Sequence, residues 1–247
     1  MDVLRTWLGL VESPRWHESR LWFSDWIAGE IIAIDDDGLF ELIVRHESLP
    51  LCFDFLPAGR PGLVSNQQLA LLTLEDDGAL ATYADLSALS SFGFNDIVVD
   101  GHGSAYVNSG NFEFTDGPPA GPVPTRLRCP RDTQWHRPDS RAGHRVSQRH
   151  GRHRGQPHAG VADSYRHRLL GFDIGAAGSL SGHRVWADLG DATPDGICLD
   201  AEEAAWYADV PRQYCVRVAE GGQRLATVPL DRGGLACSAG PMDRAFT

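Results

Sequence analysis

Four polar residues each start a short apolar strand, and their side chains are of types that could do chemistry: Glu12, Asp54, Asn95 and Asp195. Carboxylate and amide oxygens are the ligands that hard divalent cations prefer, with water completing the shell. A carboxylate beside such an ion can also accept a proton from an attacking water. The same residue types are common in ordinary turns and strand ends, so their value depends on whether the fold brings them together.

The spacing of these residues indicates a repeat. Asp54 follows Glu12 by 42 residues, Asn95 follows Asp54 by 41, and Asp195 comes 100 residues later, which is two longer periods. Each residue opens a unit of apolar strand, Asp- or Gly-containing turn and second strand. Units of this length built from short strands are typical of a β-propeller, in which the residues that start each inner strand face a central channel.

We therefore predict an all-β fold, a six-bladed β-propeller with units beginning near residues 12, 54, 95, 148, 195 and 237. The 27 Gly and 15 Pro residues favour many short strands over long helices. The alternative is a β-sandwich in which the spacing is fortuitous. The whole chain, residues 1–247, is predicted to form a single propeller domain.

Several motifs, taken together and in order, resemble the senescence-marker-protein/gluconolactonase (regucalcin-like) family. They are ESPRW at 12–16, FNDI at 94–97 and PDGICLDAE at 194–202, supported by RVWADL at 184–189 and WYADV at 206–210. The likeness covers about residues 8–114 and 161–240. It implies a six-bladed propeller with one divalent cation (Ca, Zn, Mg or Mn) in the channel. The activity it implies is hydrolysis of small-molecule lactones or related esters.

The resemblance also implies roles for individual residues. Glu12 corresponds to a metal ligand, and Asp195 to a second ligand that also serves as the catalytic proton acceptor. Asn95 corresponds to a residue that touches the substrate or the metal-bound water, and the spacing of Glu113 suggests a further substrate contact. Some relatives carry a substrate-binding Arg two residues before that Asn, where this chain has Gly93. Asp54 and Asp200 are predicted to support turns.

Composition excludes some classes of protein. The formal net charge of −11 argues against a nucleic-acid binder. No run of about 18 apolar residues predicts a membrane span, and the N-terminus lacks the features of a signal peptide. The five Cys residues are odd in number and widely spaced, which favours reduced, mostly buried thiols and a cytoplasmic location.

The middle of the chain departs from the pattern. Residues 126–158 carry nine Arg, five His and two Asp, and almost no large apolar residue, so residues 126–160 are predicted to be an aberrant, disordered segment that disrupts blade 4. The family pattern expects a Pro-Asn-Gly-Met strand here, which would supply an Asn ligand. An inserted basic arm that binds nucleic acid or an acidic partner is one interpretation of this segment, and a His-rich metal tract is another.

A reading-frame shift in a GC-rich gene is the third interpretation. Suitable codons for residues 147–153, read one nucleotide later, give Pro-Asn-Gly-Met-Ala-Val-Thr. The shift would enter near residues 124–130 and be restored near residues 159–160. We further expect blade 6 to be largely missing, because the chain stops at Thr247, and we expect weak metal binding and low activity. The alternatives to a lactonase are a non-catalytic calcium-binding or regulatory propeller and an inactive gene remnant.

The frameshift interpretation predicts the nucleotide sequence. Sequencing the gene across codons 120–165 should reveal a single-nucleotide shift that opens Pro-Asn-Gly-Met at the position of residues 147–150. If neither alternative frame contains that motif, the shift did not occur, and the basic segment is a genuine part of the protein.

Overall fold

A computed structural model describes residues 6–90, 92–109, 126–128, 146–148, 158–175, 178–239 and 245–246. These residues form 21 β-strands and two short 3₁₀ turns, Pro57–Gly59 and Ser164–Arg166, with no α-helix among them. The prediction of an all-β fold is therefore confirmed for the described part of the chain. Within the same ranges, no helix has the length and apolar character needed to cross a membrane.

Four of the sheets have four strands each, and every one is an antiparallel meander of consecutive strands. The first two sheets consist of β1 (Val11–His17), β2 (Arg20–Asp25), β3 (Glu30–Ile34) and β4 (Phe40–Arg45), then β5 (Phe53–Phe55), β6 (Pro61–Ser65), β7 (Ala70–Leu74) and β8 (Leu80–Asp85). The other two consist of β12 (Val146–Gln148), β13 (His158–Asp163), β14 (Arg168–Ile174) and β15 (Leu180–Asp188), then β16 (Pro194–Leu199), β17 (Ala205–Asp209), β18 (Tyr214–Val218) and β19 (Arg224–Pro229).

Two smaller sheets complete the described structure. One has three strands, β9 (Asp96–Val99), β10 (Ala105–Ser109) and β11 (Arg126–Arg128), and the other has two, β20 (Ser238–Ala239) and β21 (Ala245–Phe246). In sequence order, the three-stranded sheet is third and the two-stranded sheet is last.

The first strands of the sheets lie next to one another. β1 is beside β5, β5 beside β9, β9 beside β12, β12 beside β16, β16 beside β20, and β20 beside β1. Each described sheet uses one continuous stretch of chain and exchanges no strand with another. This is a propeller-like arrangement, with four blades of four strands, and it differs from the two packed sheets of a sandwich.

The apolar core lies between neighbouring sheets. One cluster joins the first and second sheets, including Ile31 and Leu63, and another joins the second and third, including Leu71 and Ile97. The third and fourth sheets meet at Tyr106 and Phe172, and the fourth and fifth meet at residues such as Leu169. Because the strands alternate, each sheet presents one apolar face to each neighbour.

The predicted unit positions agree with these strands. Residues 12, 54, 148, 195 and 237 fall in or next to β1, β5, β12, β16 and β20, and Asn95 directly precedes β9. Within the Arg- and His-rich segment, residues 126–128 and 146–148 form the short strands β11 and β12. Val146–Gln148 pairs with the edge of β13, with Val146 opposite Val161, so a disrupted fourth blade is not confirmed. The rest of residues 129–157 lies outside the described residues.

Arg15 on β1 connects three sheets. Its Nε lies 3.4 Å from Asp54 Oδ1 on β5, and its Nη2 lies 3.6 Å from Asp96 Oδ1 on β9. The same Nη2 donates a hydrogen bond of 2.8 Å to the carbonyl oxygen of Ile97. Burial alone would lower the pKa of Arg15, but the charges of Asp54 and Asp96 outweigh this and raise the pKa above its ordinary value. The guanidinium is therefore held charged between the sheets.

Replacing this cation should destabilise the fold. The three side chains are only 21%, 12% and 10% exposed, so Arg15→Met leaves two largely buried carboxylates without their cation. We expect a loss of about 3 kcal/mol in the free energy of unfolding, measured by urea denaturation at neutral pH.

Arg45→Met is the matched control, because Arg45 pairs with Glu30 but is 70% exposed. Its loss should be about 0–1 kcal/mol. Equal losses in the two variants would show that the ion pairs of Arg15 contribute no more than surface pairs.

Candidate functional site

Glu12 lies at the beginning of β1 and is completely buried, with 0% of its surface exposed. Its partner on β2 is Ser24, whose hydroxyl donates a 3.0 Å hydrogen bond to the Glu12 carbonyl. Between Glu12 and Arg15 the pairing register shifts, so β1 bulges at this point. Bulges redirect side chains and are frequent beside active sites.

Asp195 occupies the equivalent position in the fifth sheet. It is the second residue of β16, and the register against β17 shifts between Pro194 and Ile197. Gly196 follows, and its N–H donates a 2.8 Å hydrogen bond to the carbonyl oxygen of Leu235. A Cβ at Gly196 would lie 2.5 Å from Ala236 Cα, so only glycine fits beside this segment. Asp195 itself is partly exposed.

A repeated Asp holds the chain in front of both bulges. Asp25, the last residue of β2, accepts hydrogen bonds from the backbone N–H groups of Gly9, Leu10, Ile27 and Ala28 at 2.7–3.3 Å. Asp209, the last residue of β17, accepts the N–H of Thr193 at 3.4 Å. Sequence reasoning missed this role, although the repeated motif Trp-(Phe/Tyr)-x-Asp at 22–25 and 206–209 is a signal that could have identified it.

Asn95 directly precedes β9 and is partly exposed. Its N–H donates a 2.9 Å hydrogen bond to the Asn108 carbonyl oxygen. The preceding Phe94 is clamped by Asn66, which accepts from its N–H at 2.7 Å and donates to its carbonyl at 3.0 Å. A Cβ at Gly93 would lie 2.8 Å from the Asn66 side chain, so an Arg at this position would displace the clamp.

A 3₁₀ turn from the fourth sheet lies against Asp195. The hydroxyl of Ser164 donates to the carbonyl oxygen of Pro194, the residue before Asp195. Burial, followed by the negative charge of Asp195, raises the pKa of Tyr165, so the phenol lies near that carboxylate. Sequence reasoning missed Tyr165, because nothing in a strand pattern shows which turn reaches the neighbouring sheet.

Asp54 and Asp200 have structural contacts. Asp54 accepts the N–H groups of Phe55 and Val99 at 2.8 Å each, and it pairs with Arg15. Asp200 accepts two turn N–H groups and also the Nε of Arg217 at 2.6 Å. Burial alone would raise the pKa of Asp200, but these hydrogen bonds lower it below its ordinary value.

Glu12, Asn95 and Asp195 thus occupy equivalent places, each at the beginning of the first strand of a sheet. Glu113 lies outside the described residues. In the described part of the chain, no group of three or more His, Cys, Asp or Glu is placed to hold a metal ion. The available donors are two carboxylates and an amide, which match a hard cation in type but are few in number.

One protein-family model matches most of the chain. It is described as the SMP-30/gluconolactonase/LRE-like region, and it matches residues 10–142 and 156–242. The unmatched residues 143–155 fall within the Arg- and His-rich segment. No curated protein sequence matches the chain.

Solved structures share the fold. A gluconolactonase from Xanthomonas campestris is 17% identical, with a TM-score of 0.76 over 97% of this chain and 82% of that one. A luciferin-regenerating enzyme is 18% identical, with a TM-score of 0.76 over 94% and 80%. A calcium-binding protein, regucalcin, from Agrobacterium tumefaciens is 16% identical, with a TM-score of 0.75 over 97% and 81%. At these identities the likeness is one of fold.

The role of Asp25 can be tested by its pH dependence. Burial alone would raise the pKa of Asp25, but hydrogen bonds from Gly9, Ala28, Leu10 and Ile27 lower it below its ordinary value. A lowered folded-state pKa stabilises the protein above the unfolded-state pKa, and this contribution is lost as the pH falls through the folded-state pKa.

Asp25→Asn should therefore reduce the free energy of unfolding by about 1–3 kcal/mol at pH 7. The difference from the parent chain should shrink below about pH 4. Denaturation curves at several pH values measure it, with Asp37→Asn in the exposed turn after β3 as the control. A difference independent of pH would mean that the charge of Asp25 is unimportant.

Proposed function

The chain belongs to the SMP-30/gluconolactonase/LRE-like family, and we propose that it is a hydrolase of gluconolactone-like esters that uses one divalent cation. The observation that carries this proposal is the matched placement of Glu12 and Asp195. Both acids stand at bulges that open the first strand of a sheet, and each is held there by its neighbouring strands. Two acids in equivalent places are expected of a site at the centre of a propeller.

Glu12 and Asp195 are the residues that would hold the cation. When bound, a divalent cation polarises the carbonyl of the lactone and stabilises negative charge on its oxygen. Glu12 is completely buried, so its proposed role is limited to binding the cation. Asp195 is partly exposed, so it can also reach water.

Asp195 is proposed as the proton acceptor from the attacking water. The hydrogen bond from Ser164 to Pro194 and the contact of Gly196 with Leu235 fix the backbone on both sides of it. Tyr165 lies near its carboxylate and is 54% exposed, so the phenol is available to a bound substrate. Asn95 is proposed to donate a hydrogen bond to the substrate, with Glu113 as a further contact.

Metal affinity is expected to be weak. Ca²⁺ takes about six to eight oxygen ligands, and two carboxylates with one amide leave most of the shell to water. The fourth unit presents Val146–Gln148 where the family pattern expects an Asn ligand. The small number of protein ligands also favours the alternative to a lactonase. That alternative is a propeller that binds calcium without catalysing hydrolysis, or an inactive gene remnant.

The complete ring is proposed to have six blades. The circuit of neighbouring first strands from β1 to β20 and back to β1 supports this count. The substrate is proposed to be a small molecule, since the net charge of −11 favours neither nucleic acid nor an anionic membrane surface. Among the described residues the Cys side chains are thiols, which is compatible with the proposed cytoplasmic location.

Hydrolysis should depend on Asp195. Purified protein should release acid from glucono-lactone in a pH-stat when Ca²⁺, Zn²⁺, Mg²⁺ or Mn²⁺ is added. Asp195→Asn should lower kcat by about 100-fold or more, because it removes the proton acceptor.

Asp36→Asn, in the exposed turn after β3, is the control and should retain the parent rate. Calorimetric titration with each cation separates the two candidates. Binding that is lost in Glu12→Gln without any hydrolysis identifies a binding protein, and full hydrolysis by Asp195→Asn contradicts the mechanism.

A further inference from the structure

Three of the Cys residues meet beside β16. Cys198 lies on β16, Cys215 on β18, and Cys237 immediately before β20. The Sγ atoms of Cys198 and Cys237 are 3.8 Å apart. The sequence separations of 17 and 22 residues gave no sign of this cluster.

The strand order decides which thiols can react together. β17 lies between β16 and β18, so Cys198 and Cys215 are two strand spacings apart, about 9–10 Å. Disulfides require Cα atoms within about 7 Å, which excludes a bond between these two. Cys237 belongs to a different segment, and its sulfur meets that of Cys198 directly.

The backbone holds Cys237 at this position. The Gly196 N–H donates to the Leu235 carbonyl oxygen, and Gly196 packs against Ala236. The thiol of Cys237 can donate to the carbonyl oxygens of Gly196 at 3.3 Å and Trp206 at 3.4 Å. The contact between the two sulfurs is thus fixed by the main chain on both sides.

We propose that Cys198 and Cys237 are a redox-responsive pair that hydrogen peroxide converts into a disulfide. The two residues differ in the way that such a reaction requires. Cys198 is partly exposed and can be reached by peroxide, whereas Cys237 is buried, with 4% of its surface exposed. In a reducing compartment, pairs of this kind are transient and regulatory.

The reaction has two steps. The Cys198 sulfur attacks peroxide, and an S–O bond forms as the O–O bond breaks. The products are a sulfenic acid at Cys198 and one molecule of water. The Cys237 sulfur then attacks Cys198, an S–S bond forms as the S–O bond breaks, and the Cys237 proton leaves with the hydroxyl as a second water. Two thiols are oxidised and one peroxide is reduced.

The order of the steps follows from the surroundings of Cys237. Hydrogen bonds with Cys198 and Cys215, together with burial, raise its pKa well above the ordinary value. Cys237 therefore keeps its proton in its buried position, and Cys198, the partly exposed member of the pair, is the sulfur that meets peroxide first. Cys237 acts second, as the resolving residue.

The bond would join β16, which carries Asp195, to the segment that leads into β20. Such a cross-link closes a loop of about 40 residues and restricts the unfolded chain. Oxidation should consequently raise the thermal midpoint of the full chain, and dithiothreitol should reverse the shift.

Mass spectrometry tests the proposal directly, because trypsin places each thiol on its own peptide. Cleavage after Arg residues gives 185–212 with Cys198, 213–217 with Cys215 and 233–244 with Cys237. The full chain is reduced, treated with hydrogen peroxide, alkylated and digested without reduction. We expect a peptide pair 185–212 with 233–244, about 2 Da lighter than the sum of the two thiol peptides.

Variants make the assignment specific. In Cys237→Ser, the sulfenic acid at Cys198 should persist and react with dimedone, and the linked pair should disappear. Cys52→Ser, directly before β5 and far along the chain from the pair, should retain the link and serves as the control. A link to 213–217 instead, or progressive oxidation of Cys198 in the parent chain with no link, overturns the proposal. Because none of these readouts uses lactone hydrolysis, they stand apart from the proposed activity.

Discussion

The ion pairs of Arg15 allow the first strands of three neighbouring sheets to hold carboxylates close together. The first strands bring Asp54 and Asp96 close together, where two buried negative charges would repel each other. The guanidinium on β1 lies against both and also donates to the Ile97 carbonyl, so three sheets share one cation. Asp54 and Asp96 are therefore committed to structure, and the acids that remain candidates for chemistry are those at the bulges.

The position of the first strands could be predicted from sequence, because apolar strands and Asp- or Gly-containing turns recur with an approximately constant period. The bulges could not, since a bulge at Glu12 or Asp195 depends on the register against the partner strand. The repeated motif that ends in Asp25 is visible in the sequence, but its four N–H partners are not, because they come from two separate segments. Local patterns thus identified the strands but not the contacts that aim their side chains.

The Arg-rich middle segment shows how a sheet can impose a strand where composition predicts none. β13, β14 and β15 have buried apolar residues and pair over most of their length. The free edge of β13 offers backbone N–H and C=O groups for hydrogen bonding. Val146–Gln148 pairs with this edge through its own backbone, which does not depend on an apolar composition. Backbone pairing does not supply the Asn ligand that the family pattern expects, so a strand at this position does not complete the site.

Gly196 links the candidate site to the thiol pair. The bulge that turns Asp195 away from the ladder leaves Gly196 without a partner on β17, and its N–H is satisfied by Leu235 instead. Because Gly196 has no side chain, residues 235–237 approach β16 closely enough to bring Cys237 to Cys198. The feature that positions the carboxylate therefore also creates the sulfur contact, and a change in that contact would act on the strand that carries Asp195.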